Sequence, residues 1–197
     1  MSAEDPIRVV LVGTQHPGNI GSAARAMKTM GLTNLVLVAP KRYPDPEATA
    51  LAAGAVDILE QAHVVESLAE SLLGCTYVIG TSSRARSVAL PELAPRQAAE
   101  QLVVKSSGKQ VALLFGPERT GLENEDLQHC HACVLIPCNP EYASLNLASA
   151  VQVLSYEIRL QRIQQHLIAM PDAKPVEIEV ANHEQMERFF SHLAQFM

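Results

Sequence analysis

Two short apolar runs near the middle of the chain, residues 111–115 and 133–136, most constrain what the chain can fold into. Each run is continuously apolar, and each is closed by a residue that ends strands, Gly116 after the first run and Pro137 after the second. Short runs of this kind are typical of strands that are buried on both faces in a parallel sheet. We therefore expect an α/β fold with a parallel sheet.

Further apolar runs alternate with helical segments and favour the same fold class. Residues 7–12, 34–39 and 77–80 are predicted strands. A helix capped by Ser22 and running to about Met30 is predicted between the first two. Strand–helix–strand order implies parallel strands joined by right-handed crossovers, so we expect helices on both faces of the sheet.

The loops after the two central strands contain groups that bind ligands. Residues 116–121 (GPERTG) contribute two glycines and the carboxylate of Glu118, and Ser144 and Asn146 follow the second strand. Ligands of open α/β sheets bind outside the carboxyl ends of the strands, so we expect a ligand between these loops. The alternative is that GPERTG is only a tight turn. Neither GxxxxGK[ST] nor GxGxxG occurs, so the common nucleotide fingerprints are missing.

Two helix starts carry further expectations. A long apolar helix is predicted to begin near Leu145, with Ser144 as its N-cap. Arg25 lies three residues after the predicted cap Ser22, where the helix dipole disfavours a cation by up to about 1 kcal/mol. We interpret this charge as functional; the alternative is an ion pair with a nearby carboxylate.

A third loop follows the predicted strand at 77–80. Three hydroxyl residues, Thr81, Ser82 and Ser83, are followed by Arg84 and Arg86. The hydroxyls suit a polar ligand and the arginines suit phosphate groups. The alternative is a capped turn with two solvated arginines.

These segments together resemble the signature motifs of the SPOUT methyltransferases. The three motifs are matched in order by residues 19–31 (NIGSAARAMKTMG), 115–122 (FGPERTGL) and 144–157 (SLNLASAVQVLSYE), with Ile-Pro at 136–137. The resemblance covers residues 6–165 and is greatest to the TrmH/TrmJ group of tRNA ribose 2′-O-methyltransferases, particularly its TrmJ branch. It implies a SPOUT α/β knot, a parallel sheet with a C-terminal trefoil knot, and a homodimer with composite sites.

The resemblance implies S-adenosylmethionine-dependent methylation of a ribose 2′-hydroxyl in tRNA, at the first pyrimidine of the anticodon loop. Its catalytic residues would be Asn19, Arg25, Glu118, Ser144 and Asn146. Its cofactor-binding residues would be Thr81, Ser82, Ser83, Gly116, Gly121, Ile136, Pro137, Ala143, Ser144 and Leu145. Its RNA-binding residues would be Arg25, Arg84 and Arg86.

Several alternatives to this function remain at this point. They are another tRNA position or ribosomal RNA as the target, methylation of a base, and an RNA-binding SPOUT module without activity. A Rossmann-type oxidoreductase is disfavoured by the missing glycine fingerprint. Because arginine is not deprotonated in proteins, we assign Arg25 to phosphate binding and charge stabilisation rather than to the role of base. Glu118 could orient Arg25, from the same or the other subunit.

Charge and cysteines set limits on partners and location. The net charge of −6 means that RNA contacts must come from local basic loops. Cys130, Cys133 and Cys138, beside His129 and His131, have a zinc-like spacing, but we favour buried thiols and expect no metal. The chain has no apolar run long enough for a membrane span and no basic signal peptide, so we expect a cytoplasmic protein.

The end of the chain is predicted to differ from the rest. We expect a methyltransferase domain at residues 1–166, a linker at 167–180 and the start of a helical extension at 181–197. One face of the last helix would be apolar, with Phe189 and Phe190 on it. We expect either that the native chain continues past Met197 or that this helix docks on a partner.

Overall fold

Seven parallel strands form one sheet in the computed structural model, which describes residues 5–82, 89–142, 144–168 and 183–194. The strands are β1 (Ile7–Val12), β2 (Asn34–Val38), β3 (His63–Val65), β4 (Cys75–Ser82), β5 (Glu92–Leu93), β6 (Gln110–Phe115) and β7 (Ala132–Leu135). Their order across the sheet is β3-β2-β1-β6-β4-β7-β5, and every pairing is parallel. The predicted parallel α/β sheet is therefore confirmed.

Helices cover both faces of this sheet, as predicted. They are α1 (Pro17–Met30), α2 (Pro46–Ala52), α3 (Val56–Glu60), α4 (Leu68–Ser71), α5 (Pro95–Lys105), α6 (Asn124–Leu127), α7 (Leu147–Gln164) and α8 (His183–Ala194). A hydrophobic core lies on each face of the sheet. Successive residues of β1 contribute to the two cores in turn, because side chains of a strand alternate between faces. Val9 and Leu11 pack with α1, α5 and α7, whereas Val10 packs with α4 and α6.

Two helices begin at residues other than the predicted ones. α1 begins at Pro17, so Ser22 lies inside the helix and is not its cap. Arg25 is consequently in the middle of α1, and the argument from the helix dipole is wrong. α7 begins at Leu147, and its cap is Asn146, whose side chain accepts hydrogen bonds from the amides of Ala148 and Ser149. The expectation that Ser144 caps α7 is therefore wrong as well.

The strand order brings distant loops to one edge of the sheet. β6 lies between β1 and β4, and β7 lies between β4 and β5. Because the strands are parallel, the loops that follow β1, β4, β6 and β7 all leave the same edge. This edge is where the sequence predicts the ligand.

α1 and α2 approach each other so closely that one position tolerates only glycine. A Cβ atom on Gly21 would lie 2.0 Å from the carbonyl oxygen of Ala48 and 2.9 Å from the amide nitrogen of Ala52. Neither backbone atom can move without displacing α2. The sequence therefore requires glycine here for helix packing rather than for a turn.

Replacing Gly21 by alanine should lower the free energy of unfolding by about 1–3 kcal/mol, because overpacking outweighs alanine's better helix propensity. Urea unfolding would measure the loss. Gly54→Ala is a matched control, since nothing lies within 4 Å of its Cβ position. Equal stability of Gly21→Ala and Gly54→Ala would contradict the close approach.

The end of α7 is fixed to the beginning of the chain by a bidentate ion pair. Arg162 donates from Nη2 to Asp5 Oδ1 over 2.8 Å and from Nη1 to Asp5 Oδ2 over 3.2 Å. The two side chains are only 14% and 8% exposed. Arg162 Nη1 also donates to the carbonyl of Gly31, the residue that ends α1. The pair thus joins three segments that are far apart in the sequence.

The predicted helix near the end of the chain is confirmed as α8. Its apolar residues Met186, Phe189, Phe190 and Leu193 are 41–58% exposed. In the described part of the chain, no helix is both long and apolar enough to cross a membrane.

Candidate active site

A cleft of about 750 Å³ lies at the carboxyl ends of β4, β6 and β7. Seven predicted cofactor-binding residues line it: Thr81, Ser82, Gly116, Gly121, Ile136, Ser144 and Leu145. Pro137 is exposed and is not among the lining residues. Ser83, Arg84, Arg86 and Ala143 lie outside the described residues. The structure therefore brings three separate loops together around one cavity.

The loop at 116–121 forms one side of the cleft by folding back on itself. Its ends are closed by a 2.8 Å hydrogen bond from the amide of Gly121 to the carbonyl of Pro117. A Cβ atom on Gly116 would lie 2.1 Å from the amide nitrogen of Leu122. Glycine at 116 therefore permits a tight turn that brings the backbone of residues 121 and 122 back against residue 116.

Glu118 is held beside the start of α1 by three donors. Its carboxylate accepts from the amide of Gln15 over 3.0 Å, from the amide of His16 over 3.1 Å and from Nδ2 of Asn19 over 2.8 Å. The first two amides belong to the loop after β1, so Glu118 places a negative charge where the helix dipole favours it. No sequence pattern predicts these backbone contacts, because they join residues about a hundred positions apart.

Asn19 also connects α1 to α7. Its Oδ1 accepts a 2.9 Å hydrogen bond from Nδ2 of Asn146. The Oδ1 of Asn146 in turn accepts from the first amides of α7. Glu118, Asn19 and Asn146 therefore form one continuous network, the Glu118–Asn19–Asn146 network, that joins all three segments with family-like motifs.

The network determines the protonation of Glu118. Burial alone would raise the pKa of Glu118, but hydrogen bonds from Asn19 and from the amides of Gln15 and His16 together outweigh it, so the pKa is lowered. The carboxylate is therefore ionised at neutral pH and accepts hydrogen bonds without donating any.

Glu118→Gln should make the protein less sensitive to acid. The folded-state pKa of Glu118 is below the unfolded value of about 4.3, so its contribution to stability is present above that value and is lost as pH falls through the lowered pKa. Between pH 7 and pH 3 the free energy of unfolding should fall less in Glu118→Gln than in the unsubstituted protein. Denaturant unfolding at both pH values would measure this, and parallel losses would contradict it.

Arg25 lies apart from this network within one chain. Its side chain is exposed, and among the described residues its guanidinium has no hydrogen-bond or ion-pair partner. Glu118 binds Asn19, so the suggestion that Glu118 orients Arg25 in the same subunit is not supported by the geometry. An exposed arginine just over two turns along α1, with no partner among the described residues, is available to a ligand that approaches from solvent.

Several residues that line the cavity were not predicted from the sequence. Arg119, Glu123, Asn124 and Glu125 also line the cavity. The sequence pattern that could have indicated them is the capping pair at the start of α6. In this pair the amide of Glu123 donates to Asp126, and such a pair predicts that the chain turns into a helix here. Carboxylates beside the cavity favour a positively charged ligand.

The cysteines are separate thiols. None of the four belongs to a disulfide; Cys130 and Cys133 are buried, and Cys138 lines the cavity. Burial, with smaller contributions from Cys133 and Asp126, raises the pKa of Cys130 to about 12. In the described part of the chain, no group of three potential ligands could hold a metal ion.

Comparisons with known proteins match this architecture. A curated relative, the tRNA (cytidine/uridine-2′-O-)-methyltransferase TrmJ of Shigella dysenteriae serotype 1, is 51% identical over 192 residues, covering 96% of this chain and 77% of the relative. The crystal structure of TrmJ from Z. mobilis ZM4 is similar with a TM-score of 0.74 and 38% identity, over 95% of this chain and 78% of that one.

A third similar protein has been solved with a ligand. The SpoU methyltransferase AviRb from Streptomyces viridochromogenes, in complex with the cofactor AdoMet, has a TM-score of 0.67 and 26% identity, over 82% of this chain and 62% of that one. The SpoU rRNA Methylase family itself matches residues 6–156, which is most of the chain and includes every segment of the cleft and of the Glu118–Asn19–Asn146 network. The chain belongs to the SpoU rRNA Methylase family.

Proposed function

We propose that this protein transfers a methyl group from S-adenosylmethionine to the ribose 2′-hydroxyl of a pyrimidine in tRNA, the first pyrimidine of the anticodon loop. The observation that carries the proposal is the Glu118–Asn19–Asn146 network, which joins all three motif segments, two of which line the cavity. The Shigella relative is a tRNA (cytidine/uridine-2′-O-)-methyltransferase, which supports tRNA and both pyrimidines as the substrate class.

The cavity suits the cofactor. Its volume of about 750 Å³ is within the range of small-molecule sites, roughly 300–1,000 Å³. The backbone of the loop at 116–121 offers hydrogen-bonding groups for an adenosine, and Thr81 and Ser82, which carry hydroxyls, line the same cavity. The carboxylates of Glu118, Glu123 and Glu125 favour the positive charge of a sulfonium. When bound, the cofactor supplies an activated methyl group.

The residues of the site have two tasks in such a reaction. They must place the 2′-hydroxyl oxygen in line with the methyl carbon and the sulfur, and they must accept the proton that the hydroxyl loses. Glu118 and Asn146 fix the loops on either side of the cavity, so we assign positioning to them and to Asn19. Ser144 lines the cavity and is the candidate to bind the ribose.

Replacing Arg25 by alanine should raise the KM for tRNA about tenfold, because a charge-assisted hydrogen bond to a phosphate is lost. The cofactor affinity should not change, since Arg25 is exposed on α1 and is not among the residues that line the cavity. Initial rates at varied tRNA concentration and calorimetry with the cofactor would measure both quantities. Loss of cofactor affinity would contradict a role in RNA binding.

The proposed function is tested by methyl transfer from labelled S-adenosylmethionine to unmodified tRNA, with the product digested to nucleosides. A 2′-O-methylated cytidine or uridine is the expected product. A base-methylated nucleoside would overturn the ribose assignment. Cofactor binding without any transfer, to tRNA or ribosomal RNA, would favour the non-catalytic RNA-binding module instead.

Further parts of the proposal rest on the sequence and on the family resemblance. They are a homodimer in the cytoplasm, a trefoil knot through the loops of the cleft, cofactor contacts from Ser83, Pro137 and Ala143, and RNA contacts from Arg84 and Arg86. The division into a domain at 1–166, a linker at 167–180 and a helical extension at 181–197 belongs with them.

A further inference from the structure

The loop between β7 and α7 leaves the cleft and then returns to it. Ile136 and Cys138 line the cavity at the start of the loop, and Ser144 and Leu145 line it at the end. Tyr142 lies in the turn between these two segments, directly before the residues that return to the cavity. Its position is therefore at the rim of the cleft, next to the proposed ribose-binding Ser144.

The side chain of Tyr142 is the most exposed large hydrophobic side chain in the described part of the chain, at 80%. Leaving an aromatic ring in water forgoes burial energy on the order of 2 kcal/mol. Two other tyrosines behave differently: Tyr43 packs against the core, and the hydroxyl of Tyr77 donates to Gln101. Folding alone therefore gives no reason for an aromatic residue at position 142.

The backbone holds this residue in a closed turn. The amide of Tyr142 donates to the carbonyl of Asn139 over 2.9 Å, and the amide of Glu141 donates to Asn139 Oδ1 over 3.1 Å. These bonds fix the backbone of Tyr142 but leave its ring uncovered. Among the described residues that line the cavity the only aromatic one is Phe115, which is buried.

A contact that ignores the base's hydrogen-bonding edge suits this substrate class. Cytosine carries a donor at position 4, whereas uracil carries an acceptor there, so a side chain that only donates or only accepts at that edge cannot bind both. Both bases share a planar face. A loop nucleotide whose ribose enters an active site also loses its stacking on neighbouring bases, and aromatic side chains commonly replace that stacking.

We propose that Tyr142 is the stacking platform for the target pyrimidine, a base-binding subsite at the rim of the cleft. The inference rests on the proposed function and adds to it the residue that allows cytidine and uridine to be used alike. The ring, rather than the hydroxyl, would make the contact.

Tyr142→Ala should raise the KM for tRNA roughly tenfold with little change in kcat, as expected for loss of one base–aromatic stack. Tyr142→Phe should retain the KM of the unsubstituted protein, because it keeps the ring. Leu73→Ala is the control for an exposed apolar side chain, since Leu73 is 71% exposed and lies at the opposite, amino end of β4. Calorimetry should show unchanged cofactor affinity in all three variants.

A substrate change tests the same contact from the RNA side. Dihydrouridine at the target position keeps the groups at the uracil edge but has a saturated, non-planar ring that stacks poorly. The unsubstituted protein should methylate this tRNA roughly tenfold less efficiently than the uridine form, whereas Tyr142→Ala should treat the two forms alike.

The outcomes separate this inference from the proposed function. Methyl transfer that is unaffected by Tyr142→Ala, or equally affected by Tyr142→Phe, would overturn the stacking role and leave the activity in place. Reduced cofactor affinity in Tyr142→Ala would also overturn it, because the residue would then act on the cofactor loop. Absence of any transfer by the unsubstituted protein would overturn the proposed function and the inference with it.

Discussion

Replacing Asn19 by alanine should lower kcat/KM for methyl transfer by about a hundredfold, the loss typical of a small misplacement of reacting groups. The amide of Asn19 is the central member of the Glu118–Asn19–Asn146 network, since it donates to one partner and accepts from the other. Without it, the loop at 116–121 and the start of α7 lose this side-chain connection through α1.

The measurement is initial rates over a range of cofactor and tRNA concentrations. Thr29→Ala, an exposed substitution near the other end of α1, is the matched control and should leave kcat/KM unchanged. Combining Asn19→Ala with Glu118→Gln should cost little more than Asn19→Ala alone, because residues that act as a unit are not additive. Activity of Asn19→Ala within threefold of the unsubstituted protein would contradict the positioning role.

Removing Arg162 should produce the largest loss of stability, about 3–5 kcal/mol, because Asp5 is left as an unpaired buried charge. For a protein of this size the loss corresponds to a fall in Tm of roughly 10 °C. Asp5 also accepts a hydrogen bond from the amide of Ile7 at the start of β1, so its orientation cannot relax freely.

A thermal melt of Arg162→Ala gives the Tm, and urea unfolding gives the free energy. Lys28→Ala is the contrast: its 2.7 Å ion pair with Asp57 is about half exposed, so its loss should lower the stability much less than the loss of Arg162 does. The double variant Asp5→Ala with Arg162→Ala should be more stable than Arg162→Ala alone. Equal losses in Arg162→Ala and Lys28→Ala would show that the pair is not effectively buried.

Most strands of this fold could be predicted from the sequence, because a buried parallel strand is a short apolar run with a breaker at its end. Residues 111–115 and 133–136 are of this kind and correspond to β6 and β7 within one residue. The cleft could be located for the same reason, since loops after parallel strands meet at one edge. Most of the described cofactor-binding candidates indeed line it.

The helix starts could not be predicted reliably, because their caps depend on tertiary contacts. Ser144 and Asn146 are both good cap residues by type, and Asn146 is used because its other amide atom binds Asn19. At α1, the amides of Gln15 and His16 are satisfied by Glu118, which is about a hundred residues away in the sequence. Local rules therefore favoured Ser22 and misplaced Arg25 at the helix start.

β6 and β7 each lie between two strands that precede them in the sequence, and this order has a consequence for synthesis on the ribosome. β4 pairs only with β6 and β7, and β5 pairs only with β7, so neither strand has a sheet neighbour until later residues have emerged. β1, β2 and β3, in contrast, pair among themselves as soon as they are made. The nascent chain must therefore keep the apolar strand β4 unpaired while thirty or more residues are added, an interval of about two to six seconds at bacterial elongation rates of roughly 5–20 residues per second. During that interval β4 is the segment on which we expect a nascent-chain chaperone to act.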